Sequence, residues 1–229
     1  MRSAIDVVLA GLAVALLAVG AYLGLRVAPS EAFMGDVYRI MFVHVPCAWM
    51  GMIGFTITFV ASVVYLFKQS QVADALAEAS AEVGVFFATL LLITGSIWGR
   101  PTWGVWWTWD PRLTTAAIMW LAFMGYLALR RFVEQPEKRA TWAAVVAVVV
   151  FVDIPIVWFS VRWWNSLHQT QSSPKALHPA MMWSLVLNSL AFLAAFTWFV
   201  RLRFLLARRR QAEELTAPPL VEAPMGDVA

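Results

Sequence analysis

Residues 141–162 read TWAAVVAVVVFVDIPIVWFSVR, an almost uncharged stretch that only Asp153 interrupts before Arg162. An α-helix needs about 20 mainly apolar residues to cross the roughly 30 Å hydrocarbon core of a bilayer, and this stretch is long enough. The whole chain of 229 residues is 61% hydrophobic, with a mean hydropathy of +0.71, whereas soluble domains are closer to half apolar. The composition therefore predicts a protein that lies in a membrane.

Five further apolar runs meet the same length criterion, which predicts an all-α polytopic membrane protein of six spans with both termini on one side. The first run is too long for the apolar core of a secretory signal peptide, so we interpret it as a retained span. The predicted spans are residues 5–28, 40–67, 83–99, 114–132, 141–162 and 180–206.

The Lys and Arg residues favour one orientation of these spans. Lys and Arg collect on the cytoplasmic side of membrane proteins. Of the two sides that the span ends define, the side that carries both termini has the larger number of these residues. We therefore expect both termini in the cytoplasm, and we assign the net charge of +3 to topology rather than to nucleic-acid binding. The larger set comprises Arg2, Lys68, Arg130, Arg131, Lys138, Arg139, Arg201, Arg203, Arg208, Arg209 and Arg210.

This orientation divides the loops into two kinds. The predicted cytoplasmic loops are short and charged, whereas the outer loops hold or adjoin most of the Trp residues and all three His residues. We expect a membrane domain at residues 1–206 and a basic, then disordered, cytoplasmic tail at 207–229. The predicted loops are residues 68–82 and 131–140 in the cytoplasm and 29–39, 99–113 and 163–179 outside.

The single cysteine, Cys47, excludes several functions. One cysteine can form neither an internal disulfide nor a CxxC or CxxCH motif, so a dithiol oxidoreductase and a covalently attached c-type haem are ruled out. The sequence also lacks a GxxxxGKS or GxxxxGKT motif, so the chain does not bind ATP through a P-loop.

Residues 98–112, WGRPTWGVWWTWDPR, carry five Trp residues within twelve positions. An interfacial aromatic belt is the alternative, but it normally supplies one or two rings per helix end, so the density favours a surface for a large, flat, apolar ligand. A helical conformation would put Trp103, Trp106, Trp107 and Asp110 on one face. An extended one would align Trp103, Trp107 and Trp109.

Two histidines lie beside this segment in the predicted topology. His44 is at the outer end of the second span, and His168 lies directly beyond the fifth span, shortly after Trp163 and Trp164. A lone His can simply bond to a backbone carbonyl, but ionisable groups at membrane depth are usually functional, and two imidazoles suit the axial positions of a haem iron. We interpret His178 as a surface or helix-start residue.

Charged residues at the outer ends admit two interpretations each. Arg39 and Arg112 could contact lipid phosphate, but their positions favour the two haem propionates. For Arg100 we favour lipid phosphate. Asp110 could order the loop, although capping the next helix or pairing with Arg112 is the interpretation that we favour.

These motifs resemble a known family. WGVWWTWD at residues 103–110 resembles the "WWD" signature of haem-handling proteins, and RIMFVHVP at 39–46 and WWNSLHQ at 163–169 resemble stretches of the cytochrome c maturation protein C (CcmC) family. The resemblance covers residues 1–206. It implies six spans and haem bound at the outer face of the cytoplasmic (inner) membrane.

The resemblance also implies partners and residue roles. CcmC proteins pass haem to the haem chaperone CcmE, and they act with the small membrane protein CcmD and the ABC transporter formed by CcmA and CcmB. At the positions that match the family's motifs, the resemblance implies that His44 and His168 are the axial ligands of a non-covalent haem b. It also implies further haem-binding residues, which are Trp103, Trp106, Trp107, Trp109, Asp110, Arg39 and Arg112.

Two other functions stay open at this point. A haem lyase would itself join haem to apocytochrome c, but the related lyases have an additional intramembrane His pair. A haem b redox subunit needs His pairs facing each other within the bundle, whereas the predicted His residues lie at one surface. We therefore expect haem binding and transfer without bond-making chemistry in this chain.

Overall fold

The computed structural model describes residues 3–168 and 177–216. This part of the chain is almost wholly helical and contains no β-strand, only an isolated bridge between Glu31 and Gly35. The helices are α1 (Ala4–Tyr22), α2 (Met41–Lys68), α3 (Gln71–Trp103), α4 (Pro111–Phe132), α5 (Pro136–Val150), α6 (Asp153–Trp163) and α7 (Pro179–Thr216), with a π-helical turn at Leu23–Val27 and a 3-10 turn at Asp36–Ile40.

Six helical segments of this part are long and apolar enough to cross a membrane. The helices α5 and α6, separated only by Phe151 and Val152, together form the fifth segment, Pro136–Trp163. The predicted six-span, all-α fold is confirmed.

The core of the bundle lies between α2 and α3. The helix α4 packs on α3 and on the α5–α6 pair, α7 packs on α2 and α3, and α1 packs mainly along α7. A buried cluster that includes Phe55, Met119 and Phe123 joins the helices from α2 to α6, and the rings of Phe55 and Phe123 stack with centroids 3.8 Å apart.

Contacts define two ends of the bundle. At the basic end, the start of α3 meets the ends of α4 and α7 through Asp74, Arg130 and Gln211. At the opposite end, which we call the histidine end, the beginning of α2 meets the last part of α3, and the beginning of α4 meets the segment after α6.

The predicted loop at 68–82 is wrong. Only Gln69 and Ser70 separate α2 from α3, and the Ser70 side chain accepts a hydrogen bond from the Ala73 backbone N–H, which caps α3. The charged residues Asp74 and Glu78 are buried against Arg130 instead of lying in a loop. Helix α5 likewise begins at Pro136, so the predicted loop at 131–140 shortens to residues 133–135.

The beginning of the predicted tail is also different. Helix α7 continues to Thr216 because its last turns are bonded to neighbouring helices, through Gln211 to Asp74 and through Glu214 to Arg139. Residues 207–216 therefore belong to the folded bundle. The remainder of the predicted disordered tail, 217–229, lies outside the described residues.

Candidate functional site

His44 lies in the first turn of α2 and is 8% exposed. Its Nδ1 is 3.0 Å from the Thr94 Oγ1 of α3. Its ring meets the Trp98 indole edge to face, with centroids 5.5 Å apart. A Cβ on Gly95 would lie 3.1 Å from the His44 Cε1, so the absence of a side chain there lets the imidazole rest directly on α3.

Two further basic side chains, His168 and Arg112, lie near the His44 imidazole. Both lie close enough to His44 for electrostatic interaction with its ring. Arg112 is in the first turn of α4, and its Nη1 is buried with no hydrogen-bond partner among the described residues. The histidine end therefore brings together two imidazoles and a guanidinium that has an unused donor.

Asp110 joins two segments of this site. Its Oδ1 accepts from the Arg112 backbone N–H at 2.9 Å, which makes it the N-cap of α4, as predicted. The same carboxylate accepts from Ser166 Oγ at 3.0 Å and from the Leu167 N–H at 2.7 Å, and Ser166 Oγ accepts from the His168 N–H at 3.0 Å. Asp110 therefore also orders the turn that carries His168.

The Trp-rich segment adopts neither of the two regular conformations considered from the sequence. Helix α3 continues to Trp103 and ends at Gly104, whose φ of +81° is a left-handed conformation that suits glycine. Arg100 donates to the Gly104 carbonyl and so closes the end of its own helix. An irregular link then leads to Asp110.

The indoles of this segment differ in their exposure. Trp103 packs over Gly99, and the Trp107 and Trp109 rings meet edge to face at 6.1 Å. Trp106 and Trp109 are 60% and 82% exposed. Further exposed apolar side chains lie at the end of α6 and just after it, so the histidine end has an open aromatic rim; they are Trp163, Trp164 and Leu167.

Arg39 has protein acceptors for its guanidinium. It pairs with Asp36 at 2.9 Å, and it donates to the carbonyl oxygens of Ala28, at 3.0 Å, and of Gly24. These bonds hold the 3-10 turn before α2 against the end of α1. Contact between Arg39 and a propionate stays a prediction.

Sequence reasoning missed three residues that surround His44. Thr94, Gly95 and Trp98 lie on one face of α3, within a single turn of one another. The helical spacing of this threonine, glycine and tryptophan indicates that they share a face of the helix. It does not indicate what that face contacts, because His44 is 50 positions away from Thr94 in the sequence. His178, by contrast, accepts from the Ala180 N–H at the start of α7, as predicted for a helix-start residue.

Fold and site together define a polytopic helical membrane protein with a histidine, tryptophan and arginine site at one end of its bundle. The family profile described as "Heme exporter protein C" matches residues 1–217. The chain belongs to this family.

Individual relatives agree with the profile. A heme exporter protein C of Bradyrhizobium diazoefficiens is 41% identical over 189 residues, which are 82% of this chain and 72% of that relative. The Haemophilus influenzae protein of the same name is 38% identical over 200 residues, 84% and 80% of the two chains. A putative cytochrome c biosynthesis ccmC-like mitochondrial protein of Marchantia polymorpha is 33% identical over 198 residues, 85% and 82%. Family membership gives this chain a role in haem handling for cytochrome c maturation.

Proposed function

We propose that this chain binds haem b non-covalently at the extracytoplasmic face of the cytoplasmic membrane and delivers it to the haem chaperone CcmE. His44 and His168 supply the axial ligands, and the exposed indoles of the Trp-rich segment contact the macrocycle. The observation that carries the proposal is that Asp110 bonds the start of α4, at Arg112, to the turn that carries His168, and that Arg112 and His168 both interact electrostatically with His44.

The chemistry of these residues fits haem. Neutral imidazoles are common axial ligands of haem iron. The buried Arg112 Nη1, which has no acceptor among the described residues, is a suitable donor for a propionate.

The placement of the site supports transfer rather than storage. The aromatic rim is exposed, with Trp109 at 82%, so a partner can reach a bound macrocycle from outside the bundle. The chain performs no bond-making step in this proposal. CcmE accepts the haem, CcmD associates with the bundle, and CcmA and CcmB supply the ATP hydrolysis for which this sequence has no P-loop.

The orientation of the bundle follows from its charges. The basic end carries the charged starts of α3 and α5 and the arginine-rich end of α7, and Lys and Arg favour the cytoplasmic side. Both termini are therefore proposed to be cytoplasmic, and the histidine end faces outward.

Absorption spectroscopy of the purified protein tests this proposal. We expect a haem Soret band in the wild type, its loss or shift in His44→Ala and in His168→Ala, and an unchanged band in His178→Ala, which serves as the matched control. Unchanged haem content in both of the first two variants would contradict the axial assignment.

Mixing the haem-loaded protein with purified CcmE tests delivery. We expect haem to move to the chaperone, and retention of all haem would contradict this part of the proposal. A covalent product formed with an apocytochrome in the absence of CcmE would instead support the haem lyase alternative.

A further inference from the structure

The hydroxyl of Thr94 is committed to its own helix. It donates to the Leu90 carbonyl oxygen at 2.7 Å and lies 3.2 Å from the Leu91 carbonyl oxygen. A hydroxyl has one hydrogen to donate and two lone pairs that can accept. With the hydrogen directed at a backbone carbonyl, Thr94 Oγ1 can only accept from the His44 Nδ1 that lies 3.0 Å away.

The backbone around Thr94 favours the same proton position. The Leu91 carbonyl also interacts electrostatically with the His44 ring, and a carbonyl oxygen can accept a hydrogen bond but cannot donate one. The edge of the imidazole that faces α3 therefore meets acceptors only. A neutral imidazole carries one N–H, so a proton on Nδ1 leaves the lone pair on Nε2.

Gly95 and Trp98 restrict the rotation of the ring. The His44 Cε1 would be only 3.1 Å from a Cβ at position 95, and the Trp98 indole lies edge to face against the same ring. The imidazole is thus seated on α3 by one hydrogen bond and two close contacts.

We propose that Thr94 is a positioning residue that holds His44 as the Nδ1–H tautomer and directs its Nε2 lone pair toward the ligand site. Metal-binding histidines generally donate their second ring N–H to a neighbouring acceptor, which fixes the tautomer and the ring orientation. The statement about the iron rests on the proposed haem function, whereas the statement about the tautomer does not.

Nitrogen-15 NMR of the haem-free protein with labelled histidine tests the tautomer. At about pH 8, where imidazoles with an ordinary pKa of about 6.5 are neutral, the His44 signals, assigned by their loss in His44→Ala, should report a proton on Nδ1. Thr94→Val should reduce this preference because valine has the same shape but no acceptor. Thr94→Ser should keep it.

Two NMR results would overturn the proposal. A proton on Nε2 in the wild type would contradict the tautomer itself. An unchanged Nδ1–H signal in Thr94→Val would show that Thr94 does not set it. Thr197→Val is the matched control, because Thr197 also donates to its own helix, to the Leu193 carbonyl, but is exposed.

Haem binding gives a second readout. Loss of a hydrogen-bond partner of a metal ligand weakens metal affinity about 10–100-fold, so we expect this loss in Thr94→Val and near wild-type affinity in Thr94→Ser and Thr197→Val. Equal affinities in the two Thr94 variants would contradict the positioning role. A thermal unfolding midpoint close to that of the wild type identifies variants that fold. If the wild type binds no haem, the proposed function fails while the NMR experiment still decides the tautomer.

Discussion

The carboxylate of Asp110 holds two segments of the histidine end with its two oxygens. One oxygen caps α4 and also accepts from Ser166, and the other accepts from the Leu167 N–H. Asp110→Asn separates these roles, because asparagine is a good N-cap but has a single acceptor oxygen. Its NH₂ group would face the Leu167 N–H, which would lose its partner.

We expect Asp110→Asn to lower stability by about 0.5–1.5 kcal/mol, the net contribution of one hydrogen bond, and to weaken haem binding through the His168 turn. Thermal unfolding and haem titration measure the two effects. Ser166→Ala, which removes one bond of the same turn, should reproduce the haem effect in part, whereas Glu137→Gln at the exposed start of α5 should change neither. Wild-type haem binding in both Asp110→Asn and Ser166→Ala would contradict the role of this turn.

At the residue scale, the predictable part of the site consists of residues marked by their sequence neighbours. His44 and His168 stand in distinctive stretches, and Asp110 directly precedes a proline that starts a helix. Thr94 and Gly95 have no distinctive neighbours in the sequence, because their contact with His44 arises from the packing of α2 against α3. Only the folded chain brings position 94 to position 44.

At the scale of helices, the start of α3 depends on a buried ionic cluster. Arg130 Nη1 lies 2.6 Å from Asp74 Oδ1, and Nη2 lies 3.0 Å from Glu78 Oε2. Arg210 of α7 also pairs with Glu78. The sequence suggested a charged loop here because acidic residues are usually exposed, and their partner comes more than fifty positions later.

Arg130→Met should therefore destabilise the bundle strongly. Removing one partner of a buried ion pair costs about 3–5 kcal/mol, since the remaining charges stay buried. We expect a much lower midpoint of thermal unfolding in detergent, and we expect little change in Arg131→Ala, whose side chain is exposed on the same helix. Equal midpoints for the two variants would show that the cluster does not support the start of α3.

The close approach of α2 and α3 depends on two glycines. A Cβ on Gly54 would lie 2.8 Å from the Gly84 Cα and 2.9 Å from the Ser80 carbonyl oxygen, so a side chain there would meet backbone that cannot move aside. Small residues allow this kind of contact between membrane helices.

We expect Gly54→Ala to cost about 1–3 kcal/mol, the usual penalty for overpacking, and to lower the unfolding midpoint. Because His44 and Thr94 are carried by these two helices, haem affinity should fall as well. Gly125→Ala is the control, since a Cβ there meets nothing within 4 Å. A Gly54→Ala midpoint as high as that of the control would contradict the close approach.

At the scale of the whole molecule, hydropathy was sufficient for the number of spans, because each span must be apolar over a length that the bilayer sets. It was less informative about where the helices end. Helices α3 and α7 continue past their apolar parts, and their polar turns are stabilised by partners on other helices. Such partners cannot be identified from local composition.

The two ends of the bundle should lie on opposite sides of the membrane. Phe33 and Phe132 are 95% and 83% exposed at the histidine end and the basic end respectively, so each can be replaced by cysteine without disturbing the core. Cys47 is fully buried, and its thiol should give no background with a membrane-impermeant maleimide. The Cys47→Ser variant checks this.

With the proposed orientation, Phe33→Cys should react with the maleimide in cells whose cytoplasmic membrane is intact and whose outer layers admit the reagent. Phe132→Cys should react only after the membrane is disrupted, because Lys and Arg beside it favour the cytoplasmic side. The reverse pattern would put His44 and His168 in contact with the cytoplasm, where a site could receive haem but not pass it to an extracytoplasmic chaperone. Labelling of both positions from one side would contradict the six-span arrangement itself, since α2, α3 and α4 separate them along the chain.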